Sequence, residues 1–157
     1  MWVDSPELLT AACQEISTAL EVFNVLAVDL EYHNVQRHAT VICLIQLSTY
    51  SKDYIIDSLL LRDNGYYGSL RTIFESASIV KLVHGGDTDV QLLASDLNIC
   101  AVNVFDTARG YQYLQKLPQT MQNAQMGVKD EVRLNMNLVS LEKIVKIFLD
   151  VDLDKSF

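Results

Sequence analysis

The 157-residue sequence predicts an α/β fold in which a mixed β-sheet is flanked by helices. Three observations predict it. Apolar runs over Val25–Glu31, Thr40–Ser48 and Tyr54–Asp57 follow one another with short connections, the pattern of an antiparallel meander. Helix and strand patterns then alternate: Leu70–Glu75 helical, Ile79–Val83 a strand, Asp87–Leu97 helical, Val102–Phe105 a strand and Thr107–Gln115 helical. Such alternation marks parallel βαβ units. Half of the residues are hydrophobic and 20% are charged, a globular composition in a chain long enough to bury a core, so one domain over residues 1–157 is expected.

The ends of the chain carry helices in this reading. Ser5-Pro6-Glu7 combines a capping hydroxyl, a proline in the first turn and an early acid, and Leu8, Ala12, Ile16 and Leu20 follow at helical spacing. Leu138–Leu149 resumes that spacing through Leu138, Leu141, Ile144, Val145 and Phe148. Between them, Leu117–Asn137 is rich in Gln, Asn and Met with little periodicity, and a long flexible loop is expected there.

Composition bounds the function. No apolar run approaches the roughly 18 residues of a membrane span, and no charged-then-apolar leader opens the chain, so a soluble intracellular domain is expected. Cys13, Cys43 and Cys100 are odd in number and lack CxxC pairing, which argues against a disulfide framework or a structural zinc site. The formal charge of −8 is opposite to the usual nucleic-acid signature, although a local basic patch or a bound metal can reverse the field where it matters. No G-x-S-x-G elbow and no G-x-G-x-x-G after a strand are present, which disfavours a serine hydrolase and a dinucleotide-binding enzyme.

The stretch "VLAVDLEYH", Val25 to His33, places two carboxylates in an apolar run. Asp29 and Glu31 are two residues apart, so on a strand they leave the same face and repel each other. Burying that pair unpaired is costly, and a positive group between them is expected. A second acidic cluster, "HGGDTDVQLL", lies where the strand Ile79–Val83 hands over to a helix. Asp87 reads as a cap or first-turn acid. Asp89 sits at the carboxyl end of a strand, where α/β sheets build their sites. If that strand neighbours Val25–Glu31, then Asp29, Glu31 and Asp89 are three hard oxygen ligands suited to Mg²⁺ or Mn²⁺.

The blocks "LAVDLEYHN", "TVICLIQLST", "DYIIDSL", "IVKLVHGGDTDVQLLASDLNI", "VNVFDTARGYQYL" and "SLEKIVKIFLDVDLDKS" occur in the order found in the ribonuclease D family, and the chain resembles that family from Trp2 to Phe157 apart from Leu117–Asn137. Its members are DEDD-type 3′–5′ exonucleases with an RNase H-like fold, and the nearest likeness is to the exonuclease subunit of the nuclear exosome. The resemblance implies a 3′–5′ exoribonuclease that trims single-stranded RNA 3′ ends by two-metal-ion hydrolysis in RNA processing and decay. It also implies Mg²⁺ or Mn²⁺ as cofactor, the exosome as partner and a nuclear, nucleolar location. Asp29 and Glu31 match the first motif and Asp89 the second. By the same resemblance, Asp29 bridges both metals and Glu31 serves the water-activating one. His33, Leu92 and Lys155 are candidate substrate contacts, Lys155 through a phosphate and Leu92 at a position where relatives often carry an aromatic residue.

The pattern breaks at the fourth acid. The family carries Y-x-x-x-D on a last helix, whose tyrosine orients the attacking water. None of the seven tyrosines here has an acid four residues on. The chain stops at "LDKSF", so the resemblance implies a domain truncated before its last catalytic helix and weak or inactive by itself. The alternative reading is a catalytically inactive nuclease-like module that binds RNA or protein. His84, five residues before Asp89, reads as a turn residue, and Asp106 in "FDT" as a helix cap.

Overall fold

The structure, a computed structural model, describes residues 1–35, 39–62, 67–125 and 138–153. Its sheet runs in the order β1 (Trp2–Val3), β4 (Asp53–Asp57), β3 (Ala39–Ser48), β2 (Val25–Val35), β5 (Val80–Val83) and β6 (Val104–Asp106). β2 is antiparallel to β3, β3 is antiparallel to β4, and β2 is parallel to β5. The expected meander followed by a parallel addition is therefore present, and β2 lies at the junction between the two halves. Sequence patterning missed β1, which adds parallel to β4 through Trp2↔Ile55 and Val3↔Ile56. Two residues are too few to show a period. β2 also continues four residues past Glu31, because residues 31–35 are exposed on both sides and carry no apolar alternation.

The register sorts the sheet into two faces. Val3, Ile56, Ile45 and Leu30 form one row across four strands, and all are buried. Trp2, Ile55, Gln46 and Asp29 form the adjacent row on the other face. The buried face joins the apolar stripes of α1 (Pro6–Val22), α3 (Gly68–Phe74) and α4 (Asp87–Leu97) in one core. In α1 the stripe is Leu9, Ala12, Cys13, Ile16 and Leu20, with the Ser5 side chain accepting from Leu8 N–H at 3.3 Å. Leu8 itself points outward, one residue away from the stripe expected of it. Lys81 is a charged residue at 1% exposure on this face. Its Nζ donates to the Ser76 and Ile79 carbonyls, both at 2.7 Å, and desolvation pushes its pKa down.

The β5–α4 turn is built on two glycines with different reasons. Gly85 has φ 67°, the left-handed region that side chains with a Cβ avoid. Gly86 has an ordinary φ, but a Cβ there would stand 2.7 Å from both Cβ and Cγ2 of Val83. α4 follows at once and ends at Asn98, φ 53°, with Ile99 N–H reaching back to the Leu93 carbonyl at 2.9 Å.

A third device secures the edge of β3. The last β3–β4 pair is Leu44↔Asp57, so the outer edge of β3 at Ile42 has no strand beside it. The chain leaves β4 through α2 (Ser58–Leu61), which the sequence reading did not anticipate, and Arg62 caps that turn. Asp96, in the last turn of α4, accepts Ile42 N–H at 2.8 Å and the Arg62 Nη2 at 2.7 Å. Arg62 Nη2 also donates to the Ile42 carbonyl at 3.2 Å, and its Nη1 binds the other Asp96 oxygen. The ion pair thus makes the two backbone bonds that a continuing β4 would have made. The guanidinium holds the Asp96 carboxyl below the usual carboxylate range, partial burial opposes this, and the Ile42 N–H reinforces it.

The chain forms two compact units, Met1–Phe105 and Asp106–Phe157. In the second, Asp106 Oδ1 accepts from Ala108 N–H at 2.9 Å and Arg109 N–H at 3.2 Å, so it caps α5 (Thr107–Gln125) as expected. α5 runs ten residues past Gln115 and takes in the first part of the expected loop. Residues 126–137 of that expected loop lie outside the described residues. Ser140 caps α6 (Leu141–Leu149), and the Tyr111 and Phe148 rings meet edge to face at 6.2 Å.

Two outcomes follow from this packing. Gly86→Ala forces a Cβ into Val83 and lowers stability by about 1–3 kcal/mol, read as a lower urea midpoint; an unchanged midpoint contradicts the close approach. Asp96→Asn lowers stability by about 2 kcal/mol at pH 7. The folded-state pKa of Asp96 is depressed, so its contribution is complete above the unfolded value of about 3.9 and fades as pH falls through the lower folded value. The gap between wild type and variant in denaturation should therefore shrink at acid pH, and a gap that widens there contradicts the assignment.

Candidate functional site

β2 carries the acidic pair on its odd-numbered face. Leu26, Val28 and Leu30 are buried, whereas Asp29 and Glu31 are exposed. The expectation of a buried, mutually repelling pair is thereby corrected: alternation puts the leucines in the core and both carboxylates in solvent. Asp29 is paired with Gln46 and Glu31 with Leu44 across β3. Gln46 Nε2 donates to Glu31 Oε1 at 3.4 Å, a diagonal bond across the strand pair. The β2–β3 register shifts between Glu31 and Tyr32, where Cys43 is the extra residue on β3. The bulge turns the end of β2 immediately beyond the acids, a placement common beside functional sites.

Asp89 reaches the same end of the sheet by another route. β2 and β5 run parallel with Val25↔Val80, Leu26↔Lys81 and Ala27↔Leu82. Carried two residues further, that register sets Asp29 level with His84, where β5 has ended and the glycine turn begins. Asp87 and Asp89 both lie in the first turn of α4, where the helix dipole favours a negative charge. Asp87 is thus a first-turn acid, as expected, and His84 is a half-buried turn residue.

Donor chemistry and donor position give different answers about a metal. Asp29, Glu31 and Asp89 offer only hard carboxylate oxygens, the set that Mg²⁺ or Mn²⁺ takes. Among the described residues, however, no group of three or more His, Cys, Asp and Glu side chains stands close enough to hold one ion. The three acids share an end of the sheet without forming a closed cage.

The other sequence candidates fare differently. His33 is exposed near the end of β2, opposite Val41. Leu92 is 8% exposed and belongs to the core. It occupies the α4 stripe with Leu93 and Leu97, and its face is spent on packing. Lys155 lies outside the described residues. The three cysteines are free, and burial pushes the Cys13 thiol up to about 11, far from a reactive thiolate. Sequence reasoning missed Gln46, Arg62 and Asp96. A lone amide inside the apolar run "CLIQLS" was the available signal for Gln46; the other two had none, being 34 residues apart.

Comparison with known proteins agrees with this architecture. Residues 1–157 match the 3′–5′ exonuclease family over their whole length. The chain is similar to the exosome complex component 10 homolog of Drosophila melanogaster, 35% identical over 156 residues that cover 99% of this chain and 14% of that protein. It is also similar to the catalytic core of RRP6 from Trypanosoma brucei, with a TM-score of 0.67 and 31% identity over 99% of this chain and 36% of that one. Escherichia coli RNase D shares the fold at a TM-score of 0.73 and 20% identity, over 99% of this chain and 35% of that one. The chain thus spans a small part of the curated relatives it matches. No helix among the described residues is long and apolar enough to cross a membrane. With a mixed sheet of this order, an acidic pair at its centre and a match along its full length, the chain belongs to the 3′–5′ exonuclease family.

Proposed function

We propose that the chain is a 3′–5′ exoribonuclease domain that removes nucleotides from RNA 3′ ends by hydrolysis, with Mg²⁺ or Mn²⁺ held by Asp29, Glu31 and Asp89. The observation that carries this reading is the exposed acidic pair on the central strand, at the end of the sheet to which the β5–α4 turn brings Asp89. Asp29, Glu31 and Asp89 would hold such ions, which when bound would supply water activation and stabilisation of the leaving 3′ oxygen. The protein's own part is positional. β2 presents two carboxylates on one face, Gln46 restrains Glu31, and α4 carries Asp89 in its first turn, where the helix dipole favours negative charge. With three of the four acids that the family pattern carries, we expect the ions to be held weakly. His33 and Lys155 are the proposed contacts to RNA. The names of the relatives, an exosome complex component 10 homolog and an exosome complex exonuclease, support an exosome-associated role, and a nuclear place in RNA processing and decay is proposed with it.

A second reading has its own support. The 157 residues contain no Y-x-x-x-D, and a nuclease-like module that binds RNA or protein without cutting needs neither the fourth acid nor the tyrosine. The net charge of −8 also disfavours RNA capture by counterion release.

A labelled single-stranded RNA ladder with Mg²⁺ or Mn²⁺ separates the two. Taken alone, these residues should trim RNA from the 3′ end slowly, about 10²–10⁴-fold below a version carrying an added Y-x-x-x-D helix. Asp29→Asn should abolish trimming in both. If Asp29→Asn trims as fast as wild type, the site is misassigned. If neither version trims yet both retain RNA, the binding-module reading replaces this one. In calorimetry Mn²⁺ should bind the wild type weakly and Asp29→Ala more weakly still; equal binding contradicts Asp29 as a ligand.

A further inference from the structure

We infer that Arg62 and Asp96 are positioning residues for the carboxylate site, setting the place of α4, and with it Asp89, against the β2 acids. The inference rests on the proposed site and adds the element that fixes its geometry. Asp89 and Asp96 are both on α4, seven residues apart, which is two turns and about 10 Å along one helix face. The buried Leu92 and Leu93 lie between them on that face. The C-terminal end of the face is fastened by Asp96 to the backbone N–H of Ile42 and to Arg62. Ile42 is paired with Tyr32, the residue immediately past Glu31 and the first beyond the bulge.

One path therefore runs from α4 through Asp96 to Ile42, which lies opposite Tyr32 in the β2–β3 register, and along one residue of β2 to Glu31. Apolar packing of Leu92, Leu93 and Leu97 resists lifting of α4 from the sheet but permits sliding and rotation, because dispersion contacts have little direction. The two-armed Arg62–Asp96 pair, with both Ile42 backbone groups engaged, is directional and removes that freedom. Pinned at its C-terminal end and entered from the glycine turn at its N-terminal end, α4 has little freedom to shift Asp89 along the helix axis. The side chain of Asp96 is 11% exposed and that of Arg62 30%, so water competes little with the fork. Neither residue touches substrate in this scheme; both act through the backbone.

The test measures Mn²⁺ binding by the protein without RNA, at a temperature where circular dichroism shows every variant folded. Asp96→Asn removes the charge, and Arg62→Lys keeps the charge but loses the fork, which covers the case in which the first variant fails to fold. Ile16→Ala, in the α1 stripe, is the control for lost stability alone. The inference expects both site-side variants to bind Mn²⁺ about 10-fold or more weaker than wild type, with Ile16→Ala unchanged. Wild-type affinity in both variants overturns it, and so does an equal loss in Ile16→Ala, which would tie affinity to stability. If instead Asp29→Asn binds Mn²⁺ as wild type does, the proposed metal site itself fails and the positioning role falls with it.

Discussion

β2 must serve two environments at once, and the rest of the molecule is arranged around that constraint. It is hydrogen-bonded on both edges, antiparallel to β3 and parallel to β5, so neither its register nor its rotation can change without breaking a ladder. Its even residues anchor the core and its odd residues carry the acids. A one-residue slip would bury Asp29 and Glu31 and expose Leu26, Val28 and Leu30. The penalty for that exchange makes core packing the guardian of the site.

The elements around β2 end where they do for related reasons. β5 stops at Val83 because Gly85 adopts a left-handed backbone and Gly86 lets the chain pass close to Val83. β4 stops at Asp57, whose carboxylate accepts the Leu59 and Leu60 N–H groups and starts α2. That early stop leaves the β3 edge open at Ile42, and the Arg62–Asp96 pair closes it. Unsatisfied strand edges are a liability in any sheet. Here the side chains that remove the liability also tie α4 to the strand pair bearing the acids.

Charge is distributed with the same economy. The two acids of β2 lie in solvent, whereas Lys81 is carried into the core with carbonyl partners. Asp96 has its carboxyl held below the usual carboxylate range by Arg62, and it is not a proposed ligand. The two acids of β2 are thus exposed, and the Arg62–Asp96 ion pair is structural.

Much of the fold was legible because it follows from local patterning. The three meander strands, the β5–α4 turn, the first-turn acids of α4 and the Asp106 cap all arise from residues near one another in sequence, where periodicity and turn chemistry operate. Asp29, Glu31 and Asp89 were readable as candidates for the same reason: a carboxylate spacing of two on a strand and a glycine turn before an acid are local facts. What only the tertiary structure decided is long-range. Whether an apolar run with two acids is buried on both sides or one depends on what covers each face, and periodicity cannot tell; a similar limit placed Leu8 on the α1 stripe, one residue away from the buried face. β1 has two residues and exists only because β4 offers an edge. The Arg62–Asp96–Ile42 bonds join three segments with no shared local pattern. Their partners are chosen by how helices settle on the sheet, so the acids were readable from the sequence, while their separation was set by packing.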